Sequence, residues 1–126
     1  MNVKGIVWVG SATERYDETV RFFKETMGLQ TFHEQDDLSI LRLASGEWVE
    51  VFGPKNPHFS EFDTGPVVEF LVDDLAEARA ELESKGVEFL TENHGWGDYL
   101  WTHFRGPDGY VYGLTSGPYT DGETDA

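Results

Sequence analysis

The stretch VVEFLVDDLAEARAELESKGVEFL, residues Val67 to Leu90, changes hydrophobic period partway along. From Val68 to Val72 apolar residues alternate, as in a half-covered strand. From Leu75 onward Leu75, Ala78 and Leu82 recur at helical spacing, and Gly86 stands where a left-handed residue closes a helix. The stretch therefore reads as strand, helix, strand.

The same order is found nearer the start. A strand around Ile6–Val9 precedes SATERYDETVRFFKETMGL, in which Tyr16, Val20, Phe23 and Met27 share a helical face. Ser11 or Thr13 is positioned to cap its start, and Gly28 to close it. The strand-like runs LQTFHE, LSILRLA and EWVEVFG follow, the last after a Ser45-Gly46 turn. Beyond Leu90, a Gly-rich segment TENHGWGD leads to two strands flanking the Gly-Pro-Asp-Gly turn of HFRGPDGYVYGL. Trp8 and Val67 are 59 residues apart, as are Tyr16 and Leu75, while Gly46 and Gly109 are 63 apart. This is an internal repeat of a βαβββ unit. The expected organisation is a single α+β domain over 1–126: module 1 at about 3–53, a linker at about 54–65, module 2 at about 66–116, and a frayed acidic tail at 117–126.

Composition narrows the chemistry. A net charge of -15, from 24 acidic and 9 basic residues, repels nucleic acid and anionic lipid. No run is apolar and long enough to span a bilayer, and the first residues lack the layout of a signal peptide, so a cytoplasmic protein is expected. With no cysteine, thiolate metal sites, disulfides and cysteine nucleophiles are excluded. No phosphate-binding loop, dinucleotide fingerprint or nucleophile elbow occurs.

Alternation also separates the two faces of each sheet. If Val7, Val9, Val49 and Val51 pack under the first helix, Ile6, Trp8, Trp48, Glu50 and Phe52 lie on the opposite face. If Val68, Phe70, Val72, Tyr110, Tyr112 and Leu114 pack under the second, Val67, Glu69, Leu71, Val111 and Gly113 lie opposite. Trp101, His103 and Arg105 are expected to join them. Phe22, Phe23, Phe70 and Phe89 read as plain core.

VRFFKETMGL, the stretch quoted at the outset and FRGPDGYVYGL together resemble the vicinal oxygen chelate superfamily, which includes glyoxalase I, extradiol dioxygenases and the bleomycin and fosfomycin resistance proteins. The resemblance implies two βαβββ modules with a cleft between mixed sheets, and a homodimer. It also implies that metal-dependent members carry ligands at the positions of Trp8, Glu50, Val67 and Gly113. Only Glu50 among these offers a metal donor, so metal-dependent glyoxalase I activity is not expected. Two arrangements stay open for the remaining polar groups. Glu50, Glu69 and His103 would form a shifted metal set, or the carboxylates would hydrogen-bond indole N–H groups, Tyr or His103.

The expected function is metal-independent binding of a small aromatic or cationic molecule, without a cofactor, of the drug-sequestering type. The binding residues would be Trp8, Trp48, Glu50, Phe52, Glu69, Trp101 and His103. The alternatives are a divergent lyase, isomerase or dioxygenase with Glu50 as its base, with or without a displaced divalent metal, and a partner-binding domain whose aromatics form an interface. Trp96, flanked by glycines, would belong to a mobile lid or pack on the surface.

Overall fold

The computed structural model describes residues 1–62 and 65–119, which form an α+β fold. The chain forms two compact units: Trp8–Val67 with Tyr119, and Met1–Val7 with Val68–Pro118. Each repeats one topology. The first contains β1 (Gly5–Ala12, entering at Trp8), α1 (Tyr16–Arg21), β2 (Gln30–Gln35), β3 (Leu38–Arg42) and β4 (Trp48–Phe52). Its strands lie in the order β2-β3-β4-β1, with β1 parallel to β4 and the other pairs antiparallel. The second contains β5 (Val67–Leu71), α2 (Leu75–Ser84), β6 (His94–Trp96), β7 (Tyr99–Arg105) and β8 (Val111–Ser116). Here the order is β6-β7-β8-β5, with β5 parallel to β8. A parallel first and last strand needs a long crossover, and the helix and hairpin between them supply it.

Helix α2 has the apolar face and the closing glycine expected of it, and gains a cap that was not read from the sequence. Asp74 caps it, its carboxylate accepting from the Glu77 N–H at 2.9 Å. Val72, Leu75, Ala78 and Leu114 form the core beneath it, with Phe70, Leu82, Phe89 and Phe104 packed around them. Gly86 has φ +92° after its last turn. Asp74→Ala is expected to cost about 1 kcal/mol in urea unfolding, since the cap bond is lost and nothing else moves.

Helix α1 departs from expectation. β1 runs on to Ala12, so Ser11 is a strand residue and no cap. Thr13 Oγ1 accepts from the Arg15 N–H, but Thr13 lies two residues before the N-cap position, Arg15, so it does not cap the helix. After Arg21 the chain opens into a π-helical turn, Phe22–Thr26, with Met27 N–H bonded to the Phe22 carbonyl at 3.0 Å. The wider turn shifts the helical phase. Val20 is buried, but Phe22 and Met27 are exposed, against their assignments to core and buried stripe. Gly28, at φ +78°, closes the helix as expected.

Three segments read as loop, linker or tail are more ordered than that. TENHGWGD contains β6, which pairs with β7 in a hairpin; Trp96 stacks on Tyr99 at 6.2 Å, so this is a strand pairing in place of a lid. Val87–Leu90 makes only an isolated bridge, Phe89 to Phe104. The linker holds a 3-10 turn, Phe59–Glu61, and the buried Asn56 and Phe62. Tyr119, assigned to the tail, is buried; residues 120–126 lie outside the described residues. Tyr110, expected beneath α2, is exposed, because it lies in the turn before β8 begins.

Candidate functional site: two carboxylates, each beside a glycine

In the first unit Ser39 on β3 is hydrogen-bonded to Tyr16 of α1 at 2.7 Å and pairs with Val51, so Val51 and Val49 face the helix. Trp48, Glu50 and Phe52 therefore lie on the other face, with Trp8 opposite Trp48 and Gly10 opposite Glu50. The Trp8 indole N–H donates to Glu50 Oε1 at 2.8 Å, a bond buried between β1 and β4. To reach it the indole lies across Gly10, where an added Cβ would come within 2.0 Å of the ring. Glycine in a strand interior marks such a close approach. Neither Gly10 nor its role follows from hydrophobic patterning, although its place two residues after Trp8 on the same face was the available signal.

The aromatics here are packed by their own unit. Trp8 lies 6.3 Å from Phe52 and 5.8 Å from Phe62, and Trp48 lies 5.1 Å from Phe32 and 4.9 Å from Tyr119. Trp8, Trp48 and Phe52 are all buried. Arg42 sits over the Phe32 ring. Phe32, Phe62, Arg42 and Tyr119 belong to this group, and sequence reasoning did not include them. Trp8→Phe keeps the ring packing but removes the donor to a buried carboxylate. It is expected to cost about 1–3 kcal/mol by thermal or urea unfolding.

In the second unit Glu69 pairs with Gly113 on β8, and Gly113 pairs with His103 on β7. The three residues form one row across three strands. Neighbouring strands are about 4.8 Å apart, so the outer two are separated by about twice that distance. Their side chains lean over the glycine and meet, His103 Nε2 lying 2.7 Å from Glu69 Oε2. A Cβ on residue 113 would approach Glu69 Cγ to 2.6 Å and His103 Cδ2 to 2.9 Å. Gly113 thus does more than lack a ligand: it makes room for the pair. The pair is nearly dry, with side-chain exposures of 2% and 3%. Burial, outweighing the hydrogen bond and charge of His103, holds the Glu69 carboxyl above its ordinary 4.5.

Comparing the units shows an exchange. Gly10 and Glu69 hold matching places on the first strands, as do Glu50 and Gly113 on the last. Glutamate and glycine have changed strands, and each carboxylate has found a hydrogen-bond partner in its own unit. Oε1 of Glu50 and Oε2 of Glu69 are thus both engaged by partners in their own units.

The residues do not fit the divalent metal of the family's metal-dependent members. At the ligand positions an indole, a valine and a glycine offer no donor, and Glu50 is bonded to Trp8. Among the described residues no group of three or more His, Asp or Glu side chains could hold a metal ion. The other expected site residues divide. Trp101 is half-buried beside His94, at 5.9 Å between rings. Ile6 is exposed, and Arg105 is exposed with its guanidinium donating to the Gly109 carbonyl, so it clamps the turn between β7 and β8. A separate polar groove of about 400 Å³ lies along α1, where Tyr16, Ser39, Glu34 and Lys24 form a hydrogen-bonded chain. No helix of the described residues is long and apolar enough to cross a membrane.

Solved structures of similar fold include methylmalonyl-CoA epimerase from Mycobacterium tuberculosis, at TM-score 0.72 and 21% identity over 90% of this chain and 88% of that one. A superfamily member from Vibrio splendidus 12B01 aligns at TM-score 0.66 and 16% identity, over 92% and 100%. The Mn(II)-bound glyoxalase from Novosphingobium aromaticivorans aligns at TM-score 0.71 and 17% identity, over 90% of this chain and 39% of that one. No curated protein matches the sequence. The family model for the Glyoxalase/Bleomycin resistance protein/Dioxygenase superfamily matches residues 5–113, from the start of β1 into β8, and the chain belongs to that superfamily.

Proposed function

We propose that the protein is a metal-independent member of its superfamily that binds a small aromatic or cationic molecule. The observation that carries this reading is the internal use of both carboxylates: Glu50 serves the Trp8 indole and Glu69 serves His103. A metal ion would have to displace those partners, and a single carboxylate does not hold a catalytic cation. What remains is aromatic surface with acidic neighbours, suited to a cation or an N–H donor. In the second unit the half-buried Trp101 supplies a ring, and Glu69 lies on the same sheet face. In the first, the partly exposed Phe32 and its neighbour Trp48 supply another. The cysteine-free composition suits the cytoplasm, and a homodimer is the proposed assembly.

Tryptophan fluorescence tests the reading. Titration with quaternary aromatic cations is expected to quench or shift emission, and Mn²⁺ or Zn²⁺ to produce no saturable heat in calorimetry. Unchanged emission across such a panel, or stoichiometric metal uptake, overturns it.

A second reading, an enzyme, is favoured by a specific feature: one of the two carboxylates is held against an imidazole in a buried hydrogen bond. Fold-level likeness to an epimerase and a glyoxalase makes an enzyme role plausible. Glu50 is the weaker candidate for its base, because its Oε1 is already engaged by the Trp8 indole N–H.

A further inference from the structure

We propose that the polar groove along α1 is a binding site for a zwitterion of amino-acid size, a basic α-amino acid, whose ammonium rests on the groove floor and whose carboxylate meets Arg21 at the rim. The site goes beyond the aromatic-ligand reading. Ser39 faces α1, whereas Trp8 and Trp48 lie on the other face of the first unit's sheet, so either site can fail without the other.

The floor sets the first requirement. Ser39 is 1% exposed and pairs across the strands with Val51, which faces the same helix. Packing alone would be served by an apolar side chain at this position, since a buried hydroxyl only recovers in hydrogen bonds what it loses in hydration. The single Ser39 proton goes to Glu34 Oε2 at 3.1 Å, so the 2.7 Å contact with Tyr16 is made by the tyrosine proton. Lys24 donates to the same Glu34 oxygen at 3.0 Å. The protons of Tyr16 and Ser39 are thus both engaged, and the groups left open are acceptors. They are a lone pair of the Tyr16 oxygen and Glu34 Oε1, which accepts nothing among the described residues. An ammonium supplies donors to both.

The rim sets the second. Arg21 has a carboxylate four residues away on either side, Asp17 and Glu25, the spacing at which helical ion pairs form, and all three line the groove. Among the described residues its guanidinium nevertheless bonds to neither. Glu18, also near, is held by Arg15 through two bonds of 2.9 and 2.8 Å. Arg21 therefore presents a planar fork of donors suited to a carboxylate. Asp17 and Glu25 leave anions beside it for a cationic side chain. The lining sets Asp17, Glu25 and Glu34 against Arg21 and Lys24, a balance of one negative charge, and the chain as a whole carries -15. A ligand of net positive charge is attracted by both, and a simple anion is repelled.

The backbone supplies the third argument. Lys24 and Glu25 belong to the π-helical turn Phe22–Thr26, and such turns recur at functional sites. Here Lys24 ties the turn to Glu34 on β2. The volume between them, about 400 Å³, suits a small ligand.

The test is a titration of the isotope-labelled full chain with L-lysine, followed by backbone amide chemical shifts. Saturable changes are expected in α1, the π-turn, β2 and β3, and none in α2. Cadaverine lacks the carboxylate and Nα-acetyl-lysine the α-ammonium; each is expected to bind about tenfold more weakly, through loss of one charge-assisted contact. Norleucine, which lacks the side-chain cation, should bind a few-fold more weakly. Arg21→Gln should weaken L-lysine about tenfold and leave it no better bound than cadaverine, a loss of discrimination that a merely structural change would not produce. Arg21 is exposed, so the variant is expected to fold. Lys85→Gln, which removes an exposed cation on α2, should alter neither affinity. Shifts that fail to saturate or that spread over α2 overturn the proposal. So does cadaverine, acetyl-lysine or norleucine binding as tightly as L-lysine, or an Arg21→Gln variant that binds L-lysine as the wild type does.

Discussion

Gly113→Ala is expected to destabilise the protein by about 2–3 kcal/mol in urea unfolding, although at an unobstructed strand position the same change is neutral or stabilising. The added methyl would lie 2.6 Å from Glu69 Cγ, 2.9 Å from His103 Cδ2 and 3.1 Å from the Thr102 carbonyl oxygen. The two side chains can yield only by parting, which breaks their 2.7 Å contact, and the carbonyl belongs to the β7 ladder. A double-mutant cycle with Glu69→Ala checks the cause. Removing Cγ makes room for the methyl, so the two changes should cost less together than their sum, with coupling of about 1 kcal/mol or more. Strict additivity would mean that the glycine is needed for its backbone and not for the space above it.

The second large effect is the severing of the pair. Glu69→Leu or His103→Leu alone is expected to cost about 3–5 kcal/mol, because each leaves a buried polar group without its partner. Replacing both by leucine should recover most of that loss, since two apolar side chains fill the row without a desolvation cost. The pH dependence has a definite sign. The Glu69 carboxyl titrates above 4.5 in the folded chain, chiefly through burial, so between that pH and its raised value the folded chain binds a proton that the unfolded chain has lost. The stability from that proton is full below 4.5 and is lost as pH rises through the raised value. Glu69→Gln removes the slope, so wild-type stability minus that of the variant should fall with rising pH in this window. A rising difference would place the ionised form as the better-bound state and contradict the burial argument.

The repeat, the two helices and the assignment of faces follow from local rules applied to particular residues. Leu75, Ala78 and Leu82 meet at helical spacing, Gly86 closes the run, and Val68, Phe70 and Val72 alternate. Each of these signals lies within a few residues of the feature it dictates, so it survives without tertiary information. Where expectation failed, the cause was either a backbone turn that side-chain periodicity does not encode, as with Met27 and β6, or a remote contact, as with Phe62 and Tyr119, buried by aromatics far away in the chain.

By itself, the order of residues determined that this chain is a twofold βαβββ repeat with one carboxylate at the family's metal-ligand positions, because period and position are properties of sequence alone. Only the tertiary structure decided that the carboxylates are hydrogen-bonded within their own units and that glycine stands beside each of them. Cross-strand rows are set by register between segments more than 30 residues apart, and a side chain leaning over a missing Cβ leaves no periodic trace.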